Sequence, residues 1–279
     1  MSASKLKNLV LLILVLVNLV LLALVIPLRT EQRRQQKLAL TQLQALFSEN
    51  GLTLGQAVLP VTLPLYTLEL TPDKDAALPA ARTLLGENVL AQDDSTRYLS
   101  LYRSTTGSFQ AARSGSFDAE LTGYEAVSSP EAHVQSLLEA MGLELASLSA
   151  PMRLEAGVYQ LTATQQLLGV PVFSSALAFI YDANRLTTIS GSALFDTANL
   201  ARVDDDACIG AADALVAFLG SRDALGWLGS TVTELTQGYL KAETASASVI
   251  RLIPGWRVVT DTGAFWVNGV TREVSPLAR

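Results

Sequence analysis

The chain has 279 residues, and beyond residue 28 its 26 acidic residues face 18 basic ones, a net charge near −8 for that part. Such an acidic balance lacks the basic footprint that nucleic acid demands, and the low charge content with abundant Leu, Val and Ala excludes a disordered tail. One cysteine forms no internal disulfide, and one cysteine with one histidine cannot build a zinc site of the usual kind.

The first predicted element is the apolar run Leu9–Leu28, in which Asn18 is the only strongly polar side chain and Pro27 lies near the exit. About twenty helical residues at about 1.5 Å each span about 30 Å, the thickness of a bilayer's hydrocarbon core. A buried core helix would show a polar face, and this run has none. A cleaved signal peptide is shorter and ends in a small-x-small site, whereas here Pro27, Leu28, Arg29 and Thr30 follow. The spacing predicts a signal anchor behind a short tail, residues 1–8. A polar amide at mid-membrane is costly without a partner, so Asn18 is the predicted membrane helix–helix contact, against the alternative that it bonds its own backbone. Lys5 and Lys7 on one flank and Arg29, Arg33, Arg34 and Lys37, offset by Glu31, on the other leave the orientation open.

Residues 29–51 are predicted as a juxtamembrane helix, polar at its start and amphipathic from Ala39 through Leu40, Leu43 and Leu46 to Phe47, with Asn50-Gly51 as the stop. The stripe covers barely two heptads, which favours packing on its own domain over coiled-coil pairing. An N-terminal α+β subdomain is predicted over 52–128. In it Leu65–Leu70 alternates as a strand, Thr71-Pro72-Asp73 turns into a helix that Gly86 ends, and short strands follow at Tyr98–Arg103, Gly107–Arg113 and Ser116–Leu121. The C-terminal region, 129–279, opens on the helix start Ser129-Pro130-Glu131, with Val134, Leu137, Leu138 and Met141 inward. Strands are predicted at Val158–Thr164, Val170–Tyr181 and Leu186–Leu194, the last two joined by an Asp182-Ala183-Asn184 turn. A third helix is predicted from Asp204-Asp205-Asp206 to Gly220, then strands near Thr231–Tyr239, Ala247–Leu252, Trp256–Thr260, Ala264–Val267 and Arg272–Val274. The recurring order predicts an α+β fold of repeated helix-plus-antiparallel-meander units, each curved sheet covered on one face by a helix.

Candidate catalytic groups are few. His133 is the only histidine, and no G-x-S-x-G or comparable nucleophile turn accompanies it. Cys208 falls on the apolar face of the predicted third helix, where a free cysteine is a small buried hydrophobe. Asp204, Asp205 and Asp206 match no calcium loop and are predicted to cap that helix. Trp227, Trp256 and Trp266 are predicted core residues, and no phosphate-cradling glycine turn occurs. No enzyme, cofactor or metal is predicted.

Two stretches carry a family likeness. Leu168–Leu194 reads Gly-Val-Pro-Val-Phe, an apolar strand, a polar turn and a strand ending Ser-Gly, which resembles the strand pair of PepSY-like domains. Leu252–Val274, with Pro-Gly-Trp-Arg-Val, a turn and an aromatic strand ending Val-Asn, resembles their closing hairpin, although Arg272 stands where a Gly is usual. Downstream of a single anchor, this layout is similar to the YycH/YycI-type two-component regulators of Gram-positive bacteria. The resemblance implies a single-pass protein of the cell membrane with its folded part extracytoplasmic. It also implies a non-enzymatic role: binding and modulating a sensor histidine kinase that governs cell-wall metabolism, with pairing to a paralogous anchored regulator left open. The competing expectation is a PepSY-like module that binds or inhibits an extracellular protease or cell-wall hydrolase.

Overall fold

The computed structural model describes residues 14, 18, 37–55, 58–94, 99–242, 244, 246 and 249–277. The expected anchor, and the single-pass extracytoplasmic placement that rested on it, are corrected: among the described residues no helix is long and apolar enough to cross a membrane. Leu14 and Asn18 are helical, and the remainder of Leu9–Leu28 lies outside the described residues. The helix α1 (37–49) buries Leu43 and Phe47 while Lys37, Thr41, Gln42 and Gln44 stay exposed. A two-faced helix of this kind belongs against a protein core, and it packs there.

After α1 come β1 (Thr53–Leu54), β2 (Tyr66–Leu70), α2 (Leu78–Leu85), β3 (Leu90–Asp94), β4 (Leu99–Ser104), β5 (Gly107–Ala112), β6 (Ser116–Leu121) and α3 (Pro130–Ala140). Then follow β7 (Leu145–Leu148), β8 (Met152–Glu155), β9 (Val158–Leu167), β10 (Val170–Asp182), β11 (Arg185–Ser192) and β12 (Leu200–Ala207). The chain closes with α4 (Ala211–Gly220), α5 (Arg222–Leu225), β13 (Thr231–Ala242), β14 (Ile250–Thr260), β15 (Ala264–Asn268) and β16 (Val274–Leu277).

The α+β expectation of repeated helix-plus-meander units, each with its own sheet, is not what the chain forms. Sixteen described strands join one mixed sheet, whose main path runs β12-β2-β14-β13-β10-β11-β6-β5-β4-β3. The cause is β10. From Ala176 to Asp182 it pairs antiparallel with β9, and from Leu177 to Asp182 with β11, but near its start Val172 pairs parallel with Tyr239 of β13. An irregularity between Pro171 and Ala176, where β10 advances five residues against two of β9, reverses the alternation. Val170 and Val172 therefore face one core and Leu177, Phe179 and Tyr181 the other, because an odd number of extra residues exchanges the two faces of a strand. Gly238 permits the join: a Cβ there would run into the Pro171 carbonyl oxygen and the Phe173 ring.

Two hydrophobic cores result. One gathers α1, β1, β2, α4 and β13–β15 around Phe47, Phe218, Tyr239 and Trp256. The other gathers α2, α3, β4–β6 and β9–β11 around Tyr102, Phe109, Leu161 and Phe179. The second core runs unbroken from α2 through β11 and so straddles residue 128.

Two local expectations also change. Asp204–Asp206 lie exposed in β12 and cap no helix. That segment is held extended because Arg202 donates to the carbonyls of Asp204 (2.9 Å) and Asp205 (3.1 Å), and α4 starts only after Gly210. β14 is one strand rather than two, passing through Pro254-Gly255, with Pro254 paired to Tyr239. Proline removes one ladder N–H there, and its carbonyl keeps the other bond on that side, accepting from Gly269 at 2.8 Å.

Candidate binding groove

The groove forms where three chain segments meet beside the C-terminal end of α3. Ser129 caps α3 by accepting from the Ala132 N–H (3.3 Å), Pro130 sets its first turn, and Met141 ends it. Gly142, at φ 73°, then reverses the chain, and the Leu143 N–H closes on the Leu138 carbonyl (2.9 Å). The reversal places Glu139 and Glu144 on either side of the turn. Opposite, the segment leaving β11 is clamped by Gln165, which donates to the Leu194 carbonyl (3.0 Å) and accepts from the Leu194 N–H (2.8 Å). That amide grip fixes Leu194, Phe195 and Asp196 at the wall. The approach to α2 supplies Asp73 and Asp75.

Two recesses of about 500 and 520 Å³ adjoin at Gly142 and Leu143. Glu139 and Glu144 rim the first, and Asp73, Asp75 and Asp196 the second; neither is lined by a lysine or arginine. All five carboxylates are exposed, whereas Met141, Leu143, Leu194 and Phe195 at the floor are buried. Glu144 accepts a long bond from Gln166 (3.5 Å), and no ion pair among the described residues uses any of the five. They are too dispersed to form a metal site: among the described residues no cluster of three metal-binding side chains exists.

A second polar cluster ties the two cores together. Lys241, near the end of β13, donates to the Ser114 carbonyl (3.1 Å) and to the Ser192 hydroxyl, and its backbone N–H donates to Ser174 Oγ (2.8 Å). Burial pulls its ammonium down to a pKa of about 8. A recess of about 320 Å³ borders it.

The residues singled out from sequence lie elsewhere. Asn18 donates to the Leu14 carbonyl at 2.9 Å, within its own helix. His133 is half-buried on α3, its Nδ1 2.9 Å from the Tyr181 hydroxyl, its ring against Tyr124 and Tyr181, and burial lowers its pKa. Cys208 precedes α4 and does not lie on it; it is buried, and burial pushes its thiol up. Trp227, Trp256 and Trp266 are buried, with Trp256 donating to the Ile209 carbonyl (2.9 Å) and Trp227 to Thr262 Oγ1 (2.9 Å). None of these touches the groove. Sequence reasoning passed over Glu139, Glu144 and Asp196 because nothing local sets them apart from other surface carboxylates, and Asp73 was read only as a turn residue.

Chemically, the groove offers a buried apolar floor and a dispersed rim of five carboxylates. It can bind by apolar burial and attract cations. No model of a known protein family matches the chain, and no curated protein matches it.

Proposed function

We propose that this chain is a non-catalytic regulatory protein that acts by holding a segment of a partner protein in the groove beside α3. The observation that supports this reading is the pairing of a buried apolar floor with five exposed carboxylates that carry no internal ion pair. Surfaces of that build, an apolar centre inside a polar rim, suit protein recognition. The engaged state of His133 and Cys208, one bonded to Tyr181 and the other buried, fits the same reading. The resemblance of the layout to YycH/YycI-type regulators suggests a sensor histidine kinase as that partner, and the PepSY-like stretches Leu168–Leu194 and Leu252–Val274 suggest an extracellular protease or cell-wall hydrolase as the alternative.

The experiment is crosslinking and co-purification of the full chain from its native cells, with the crosslinked peptides identified by mass spectrometry. Crosslinks between groove residues and a sensor histidine kinase support the proposal. Recovery of a protease or cell-wall hydrolase on the same residues replaces the kinase as partner while retaining the binding role. Turnover of a hydrolysable substrate by the purified chain overturns the non-catalytic reading.

A further inference from the structure

We infer that the groove takes an extended polypeptide segment carrying several Lys or Arg side chains spaced along it, and that this positive spacing is what the protein selects. The inference rests on the binding role proposed above and specifies the partner's chemistry. Three observations carry it. The rim charges are all negative, with no lysine or arginine lining either recess, so a cationic partner meets no like charge. The carboxylates are dispersed rather than convergent, and they form no three-ligand cluster, so their field matches separated cations and not one metal ion.

The cavity shape supplies the third. Two recesses of about 500 and 520 Å³ meet only at Gly142 and Leu143, which divides the site between side chains of one running segment. Apolar side chains of that segment would cover the floor at Leu143 and Phe195, while its cations lie at the rim. Leu145 of β7 and Gln166 of β9 both line the first recess.

The test uses the purified full chain and a capped, fluorescein-labelled peptide of alternating Lys and Val, followed by fluorescence anisotropy at low and at moderate salt. Its counterpart with Glu in place of Lys is the control. The expected result is binding of the Lys peptide alone, weakened by salt. A variant carrying Asp73→Asn, Asp75→Asn, Glu139→Gln, Glu144→Gln and Asp196→Asn should lose at least about tenfold in affinity, since each exposed ion pair contributes a factor of about two. The substituted side chains are exposed, and unchanged circular dichroism and thermal unfolding verify that the variant is folded. Equal affinity in parent and variant, or equal binding of the Glu peptide, overturns the inference. A partner crosslinked in cells through another face would sink the groove assignment and leave the regulatory role standing, so the two failures are separable.

Discussion

Replacing Lys241 with Met should reverse the order of stability between parent and variant as the pH rises. In the folded chain the ammonium sits near pKa 8 and in the unfolded chain near 10.5. That gap corresponds to about 3 kcal/mol at about 1.4 kcal/mol per unit. Below pH 8 the lysine is charged in both states and the full burial cost opposes folding. Between 8 and 10.5 the unfolded chain binds more protons, so the cost disappears as the pH rises through this window. Lys241→Met removes the cost at every pH but deprives the Ser114 carbonyl and the Ser192 hydroxyl of a donor, about 1 kcal/mol each. The variant is therefore expected to be more stable than the parent by about 1 kcal/mol at pH 7, and less stable by about 2 kcal/mol at pH 10.5. Tyr181, Tyr239 and Cys208, whose burial raises their pKa values, make stability fall in the alkaline range because the folded chain then keeps protons the unfolded chain releases. They do so in both proteins, and the difference between the two urea-denaturation series isolates Lys241. A difference that stays constant from pH 7 to 10.5 would refute the reasoning.

Other expectations follow from single positions. Ser175 is fully buried at the β10 bulge, its hydroxyl without a partner among the described residues, so Ser175→Ala should raise stability by about 1 kcal/mol in urea. A methyl at Gly238 meets the Pro171 carbonyl where β10 joins β13, so Gly238→Ala should cost about 2 kcal/mol or more and broaden amide signals of both strands. Ala183 holds φ 46° in the β10–β11 turn, so Ala183→Gly should gain about 0.5–1 kcal/mol in thermal or chemical melts, and an unchanged midpoint would contradict it.

What the sequence determined by itself is local. Short strands at Ser116–Leu121 and Val158–Thr164 were legible, the second extended by the structure to Leu167, because neighbouring side chains fall on opposite faces of the backbone. Ser129-Pro130 marked the start of α3, and Asp182-Ala183-Asn184 marked its turn through backbone angles that residues at those positions adopt. Pro254-Gly255 misled for the same reason: seen locally it breaks a strand, and only the partners on both sides, Tyr239 and Gly269, carry β14 through it. Asp204–Asp206 resembled a helix cap, but Arg202 binds the carbonyls of Asp204 and Asp205 and keeps the segment extended. The tertiary structure decided the rest. Val172 meets Tyr239 across 67 residues, and that one pairing fuses what would have been separate sheets. Asp73, Glu139, Glu144 and Asp196 share a groove although more than 120 residues separate the first from the last. Burial where the two cores meet lowers the pKa of the Lys241 ammonium, and its acceptors there are a backbone carbonyl and a serine of the other core. Such neighbours are chosen by which surfaces pack and which polar groups find partners once the chain has folded, a condition no stretch of adjacent residues contains.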